Sequence, residues 1–496
     1  LRPRSWSLWT ATLLLCAGLS GCQSIPRAAL LSAPEDAPII RGLGAPLEQE
    51  DRPVVARGQM PAEQVIDLET ALSIAGLNNP TIALADEIVR QRRAERLQAR
   101  ALLFPSLQTG FNYRDHRGVF QAGNGTVIHT DEQSLFYGFG ADVKGGGTVL
   151  DPGLSLIVHL GDAYFAPQAA QQKVTQSRFD AAATRHYTLL DVGVGYLTLV
   201  DAQARHAAYQ QSLKDVGEIV RLTADQLKAG KGSDPDAKRA LGEYLLLQAA
   251  VERTQEEIGV AAAELARLLD MDPSAMLRSA ELVPPLYDVV DPRLSLPQLL
   301  DWARASHPEI VARSADVRYQ DIRVRQEKMR PLLPLIAVGF SVGEFGGGAT
   351  TTTPTYGNFS TRTEVYVAAI WSLQNLGVGN RAVQNVARTG LRQAQIGRTQ
   401  LLDRIGREVS EAYSLIQARR AEIDLARNRV ETSQRSIGLE LARARNLLAL
   451  PIEVLTTVDQ LTSARQDLIR AMVGYSQAQL QLYVALGNTP VVPERR

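Results

Sequence analysis

The sequence predicts a mainly α-helical chain with a membrane β-barrel portion. Three observations carry this: a unit written twice, helical stretches longer than a globular domain needs, and short runs of period-two alternation. "DLETALSIAGLNNPTI" at 67–82 returns as "SLPQLLDWARASHPEI" at 295–310, matching at Leu68/Leu296, Leu72/Leu300, Ala75/Ala303, Pro80/Pro308 and Ile82/Ile310. Further on, "SL" at 155–156 returns at 372–373, Val192-x3-Tyr196 as Val409-x3-Tyr413, and Leu269-x3-Pro273 as Leu486-x3-Pro490. These three pairs share one offset of 217 residues. An ungapped register held from 155 to 273 marks a duplication.

Each copy follows one plan. A helix of about 25 residues follows Pro80 and Pro308, and stops at Pro105 in "LLFPSL" and Pro334 in "PLLPLI". Alternation comes next. Leu107, Thr109, Phe111 and Tyr113 face one way, and Gln108, Gly110, Asn112 and Arg114 the other. In the second copy Ile336, Val338, Phe340 and Val342 alternate with the small residues Ala337, Gly339 and Ser341. "RGVFQAGNGT" and "GEFGGGATTTTPTYGN" read as loops, and second alternating runs are expected near 148–158 and 361–372. The stretch at 116–147 is long for a loop, and either extends the strands or folds over the mouth. Apolar outside with small or polar inside suits a lipid-facing barrel with a wet lumen; a soluble hairpin is the other reading of these strands.

The remainder of each copy is long helix. No proline interrupts 168–234 or 355–450, so helices of about 65 residues, about 100 Å long, are expected. They break at "KAGKGSDP" (228–235) and "LLALPIE" (447–453), and a return helix of about 35 residues follows each break, giving projecting coiled-coil hairpins. Gly230 and Gly232 permit a tight reversal before Ser233. Pro451 can open the second return helix where its missing N–H is no loss. Leu447, Leu448 and Leu450 place an apolar cluster at a tip, a pattern of either a partner surface or packing between neighbouring copies. Tyr196 and Tyr413, at matching positions, read as packing residues.

The N-terminus carries a different signal. Arg2 and Arg4 precede an apolar run, Trp6 to Leu19, too short to span a bilayer, and small residues follow: a secretory signal over 1–21. Both cysteines, Cys16 and Cys22, lie there, with no histidine nearby to complete a zinc site. Leu19-Ser20-Gly21-Cys22 resembles the lipobox of bacterial lipoproteins, which implies that Cys22 is lipidated, a palmitate-type anchor. Residues 22–62, rich in Pro, Ala and charge, read as a tether from that anchor.

Other functions find little support. Lys+Arg and Asp+Glu balance at 53 each, so nothing points to nucleic acid. The six histidines show no metal-ligand spacing, and no metal or cofactor is expected. "LGVGNR" lacks the spacing and βαβ context of a nucleotide loop, so no enzyme is read.

"ALSIAGLNNPTI" with "LLDWARASHPEI", "WSLQNLGVGNR" (371–381), "PIEVLTTVDQLTSAR" (451–465) and "LYVALGNTP" (482–490), in this order and duplicated, resemble the TolC family of outer-membrane efflux proteins. The resemblance implies repeats at 63–290 and 291–490, a tail at 491–496, and four strands per protomer in a trimeric 12-stranded barrel above an α-helical periplasmic tunnel. It implies a homotrimer set in outer-membrane lipid of a Gram-negative-type bacterium. Such a duct works passively, coupled to an inner-membrane pump through a periplasmic adaptor (a membrane fusion protein). Gly230, Gly232, Ser233, Leu447, Leu448, Leu450 and Pro451 would be its adaptor-docking tips. Glu440, Arg443 and Arg445, near the second tip, are mixed in sign and assign no acidic constriction. The alternative is a periplasmic coiled-coil lipoprotein acting as adaptor or spacer, which would lack the strands.

Overall fold

A computed structural model of the chain describes residues 64–490 apart from 122, 141–153, 350–356 and 447–449. Cys22, the signal, the tether, the tail, Leu447 and Leu448 lie outside the described residues. The first copy opens with strand β1 (Gln64–Ile66) and two helices, α1 (Leu68–Asn78) and α2 (Pro80–Ala101). Asp67 caps α1 by accepting from Thr70 N at 2.8 Å, and Asn79 caps α2 by accepting from Thr81 N at 2.9 Å, with Pro80 in the first turn. Strands β2 (Ser106–Gln121), β3 (Val127–Gly140) and β4 (Leu154–His159) follow. Then come α3 (Leu160–Lys228), 69 residues long, α4 (Asp234–Leu268) and strand β5 (Leu277–Ser279), which pairs in parallel with β1.

The second copy repeats this with α5 (Leu296–Ser306) and α6 (Pro308–Met329), of the same 11 and 22 residues as α1 and α2. Strands β6 (Leu335–Ala349) and β7 (Gly357–Ile370), a 3-10 turn, α7 (Val378–Arg445) and α8 (Pro451–Ala485) complete it. α4 and α8 are both 35 residues long.

Two expectations are corrected. Helix α3 starts eight residues before 168 and carries Pro167 inside it, so the proline does not delimit the helix. "GEFGGGA" is strand, not loop, because glycine still offers N–H and C=O to the ladder. Most of 116–147 is likewise strand, turning near 123–126. Among the described residues the sheet contains five strands, which fill four positions. Its register explains the extra one. Gln108 faces Gly140 at the end of β3, and the next residue down, Leu107, faces Leu154 at the start of β4. On the other side Phe139 faces Val342 and Leu154 faces Phe340. β3 and β4 therefore lie end to end between β2 and β6, separated in sequence by 141–153.

The helices form an open layer, one helix thick. Nearer the strands the neighbours run α2, α3, α6, α7; farther away they run α4, α3, α8, α7. Two cores where the helix pairs meet, and a third toward the hairpin ends, hold the layer together. The cores cross the copies. Leu480 of α8 and Tyr287 of the linker between copies are buried in the first core beside Tyr196, and Tyr413 packs against the second. Gln479 accepts from the backbone N–H of Val289 and Val290, which seats that linker on α8. Among the described residues no helix is long and apolar enough to cross a membrane.

Candidate functional site: an open wall and its hairpin tips

The sheet has two chemically different faces. On β6, Val338 and Phe340 are exposed while Ala337, Gly339 and Ser341 are buried. On β7, Val365 and Val367 stand out while Arg362 and Glu364 pair at 2.6 Å on the other face. Phe111 and Tyr113 of β2 are exposed, and cross-strand pairing with Tyr137 and Leu135 places all four on one side. The apolar side ends upward in charge, with Asp115 and Arg117 paired at 3.1 Å and Glu344 accepting from Thr361.

The wall is unfinished at both sides. Among the described residues β2 pairs only with β3 and β4, and β7 only with β6, so each presents an unpaired edge there. The helices repeat this. α2 and α4 lie on the β2 side and expose Leu84, Leu97, Leu245 and Leu246, while α7 on the β7 side exposes Val386, Ile396 and Leu425. Every layer is open on the same two flanks.

At the far end, α3 turns into α4 through Lys231 and Gly232, whose N–H groups both donate to the Gln226 carbonyl at 2.8 and 3.0 Å. Gly230 has φ 69°, a left-handed conformation, and a Cβ on Gly232 would sit 2.9 Å from Leu227 N. Ser233 Oγ accepts from Asp236 N at 3.3 Å and caps α4. At the second tip Pro451 opens α8, Glu453 accepts from Leu450 N at 3.3 Å, and Leu450 is exposed. The tips adjoin. Gln226 Nε2 donates to the Ala444 carbonyl at 3.0 Å, and Arg445 pairs with Glu218. Neither link is visible in sequence, since the partners stand 218 and 227 residues apart.

A second cluster joins sheet to helices. Arg330 reaches Asp162 at 2.6 Å and Glu327 at 2.8 Å, and Gln326 donates to Asp162 at 2.6 Å. Arg330 and Gln326 together satisfy the Asp162 carboxylate with hydrogen bonds from a charged and a neutral donor. Gln384 of α7 donates to the Glu327 carbonyl at 3.3 Å, bringing the start of α7 to the same level. Among the described residues no group of His, Cys, Asp or Glu is arranged to hold a metal ion.

No family model matches the sequence, and no curated protein sequence does. Solved structures do match. The CmeC outer membrane channel of Campylobacter jejuni superposes with a TM-score of 0.72 at 14% identity, covering 87% of this chain and 90% of that one. A membrane protein from Pseudomonas aeruginosa gives 0.72 at 20%, covering 87% and 99%. CusC, described with its transmembrane channel formation, gives 0.69 at 18%, covering 88% and 95%.

Proposed function

From a chain with the fold of TolC-like outer-membrane channels, we propose a passive outer-membrane exit duct built from three copies. The open flanks of strands and helices carry this reading. A closed ring pairs the β2 edge of one copy with the β7 edge of the next, and seals α2 and α4 against α7. The end-to-end β3 and β4 count as one strand position, so each chain supplies four and three chains supply twelve. The exposed apolar face then meets lipid and the small and polar face lines water.

In this reading Cys22 carries the lipid anchor, and the helices project into the periplasm. The tips around Gly230, Gly232, Ser233, Leu447, Leu448, Leu450 and Pro451 receive a periplasmic adaptor that couples the duct to an inner-membrane pump. No step of the work needs a nucleophile or a cofactor.

The test is the protein purified from outer membranes in detergent and reconstituted in planar bilayers. A trimer by native mass spectrometry with stepwise, low resting conductance is expected. A monomer that leaves the bilayer silent overturns the reading. Separately, Cys22→Ser is expected to abolish acyl labelling; full label on that variant excludes the anchor.

A further inference from the structure

The apolar face of the strands is too short for a bilayer. On β2 it runs from Leu107 to Tyr113 before Asp115 and Arg117 end it. That is about 20 Å along the strand and about 15 Å of height at barrel tilts, against an apolar band of about 25 Å in membrane barrels. On β6 the same face runs from Ile336 to Val342 before Glu344, the same six residue steps as on β2.

The missing height lies below the strands, where the chain passes into helix. Leu103 and Phe104 before β2, Leu332 before β6, and Trp371, Leu373 and Leu376 after β7 are all exposed. The pairing Ser106↔Ser155 sets the end of α2 level with the start of α3, and Leu160 N donates to the Pro334 carbonyl, so these segments share one height. Trp371 turns its indole N–H inward to the Leu332 carbonyl at 3.3 Å and leaves its ring outside. Leu376 is 92% exposed and holds φ 54°. A left-handed leucine costs about 1 kcal/mol or more, and among the described residues almost none of its side chain is covered.

Directly beneath this belt stand cations without partners. Arg100 at the end of α2, Lys328 at the end of α6 and Arg381 in the first turn of α7 are exposed and make no ion pair among the described residues. The Gln384–Glu327 contact places Arg381 and Lys328 within about a turn of one another. The first stretch of α7, 378–402, contains Arg381, Arg388, Arg392 and Arg398 and no carboxylate.

We infer that the junction of sheet and helices is a phospholipid-binding collar: the belt around Phe104, Trp371 and Leu376 lies among the acyl chains of the inner leaflet, and Arg100, Lys328 and Arg381 hold anionic headgroups. This rests on the outer-membrane reading above. It extends the lipid boundary off the strands onto loops and helix ends, and gives the left-handed Leu376 its partner. It also makes the inner leaflet's anionic lipid, rather than its zwitterionic lipid, the preferred neighbour.

The test is bromolipid quenching with the full chain reconstituted in vesicles. Trp302 is replaced by phenylalanine in the chain processed at Cys22, which lacks Trp6 and Trp9, leaving Trp371 as its sole indole. Trp371 fluorescence is expected to fall with brominated phosphatidylglycerol, and two- to five-fold less lipid should be needed than with brominated phosphatidylcholine, as expected for basic side chains at an anionic surface. Arg100→Gln, Lys328→Gln and Arg381→Gln together should equalise the two lipids while quenching persists. Soluble glycerol phosphate should not compete, which separates a lipid from a free phosphate. Absence of quenching at Trp371, from water exposure or from burial under a neighbouring copy, overturns the belt, and an unchanged preference in the triple variant overturns the headgroup site. A parallel variant with Phe111→Trp, and Trp371 also replaced by Phe, keeps the outcomes apart. If that strand probe is quenched and Trp371 is not, the collar falls and the duct stands; if neither is quenched, the membrane reading itself falls.

Discussion

Gln226 on one hairpin donates its side-chain amide to the backbone carbonyl of Ala444 on the other, at 3.0 Å. Ala444 stands 217 residues after Leu227, so the bond joins near-equivalent points of the two copies and locks their ends at one height. The ion pair of Arg445 with Glu218 lies beside it. Both partners of that pair are largely exposed, so it adds little by itself, and the amide bond fixes the geometry.

Gln226→Leu combined with Glu218→Gln keeps the side-chain volumes and removes both links. The variant is expected to keep the parent's oligomeric state and to show several-fold higher resting conductance in planar bilayers. Conductance identical to the parent would assign the resting closure to other contacts.

His307 opens α6 as Asn79 opens α2. It is buried, accepts from Glu309 N at 3.3 Å, and is lowered to about 4, chiefly by burial and further by Arg404 and His186. The unfolded chain therefore binds a proton that the folded chain refuses between pH 6.5 and about 4. Stability falls as pH drops through that window, by on the order of 2–3 kcal/mol. His307→Asn, the first copy's residue, should keep the cap and flatten this part of the profile. Thermal unfolding in detergent at pH 7 and pH 4.5 compares the two; equal losses would remove His307 as the cause.

Glu327 is buried and pairs with Arg330 at 2.8 Å and more loosely with Arg323 at 3.6 Å, and Arg330 also holds Asp162. Arg330→Met should destabilise by roughly 2–4 kcal/mol, because two carboxylates lose their shared cation. Adding Asp162→Leu and Glu327→Leu should recover most of that loss, since the stranded charges are then gone. Apparent unfolding midpoints of the single and triple variants decide it. A triple variant weaker than the single one would mean that the network's hydrogen bonds matter more than its charges.

Asp270 and Gly487 are repeat equivalents, one residue past the C-caps of α4 and α8, and both are left-handed, with φ 56° and 85°. A Cβ on Gly487 would stand 2.6 Å from His307 Cα. Gly487→Asp is therefore expected to cost more than about 2 kcal/mol, while Asp270→Gly changes stability by less than about 1 kcal/mol. Equal effects in unfolding experiments would mean that the contact with His307 relaxes freely.

By itself the sequence determined whatever depends on neighbours along the chain. Pro80, Pro308 and Pro451 start helices, Gly230 and Gly232 reverse one, and the alternation from Ile336 to Val342 assigns the faces of β6, because dihedral preference and side-chain period are local properties. The duplication was legible for the same reason, as a repeat of local patterns at a constant offset. The tertiary structure decided what joins distant residues. No local pattern sets Leu107 against Leu154, so the sequence could not say that 141–153 interrupts one strand position. Nor could it place Leu480 and Tyr287 in the first copy's core, join Gln226 to Ala444, or bring Asp162, Glu327 and Arg330 together. Pro167 stayed inside α3 for a related reason. Packing along a 69-residue helix outweighs the cost of one lost hydrogen bond, a balance that only the folded neighbours set.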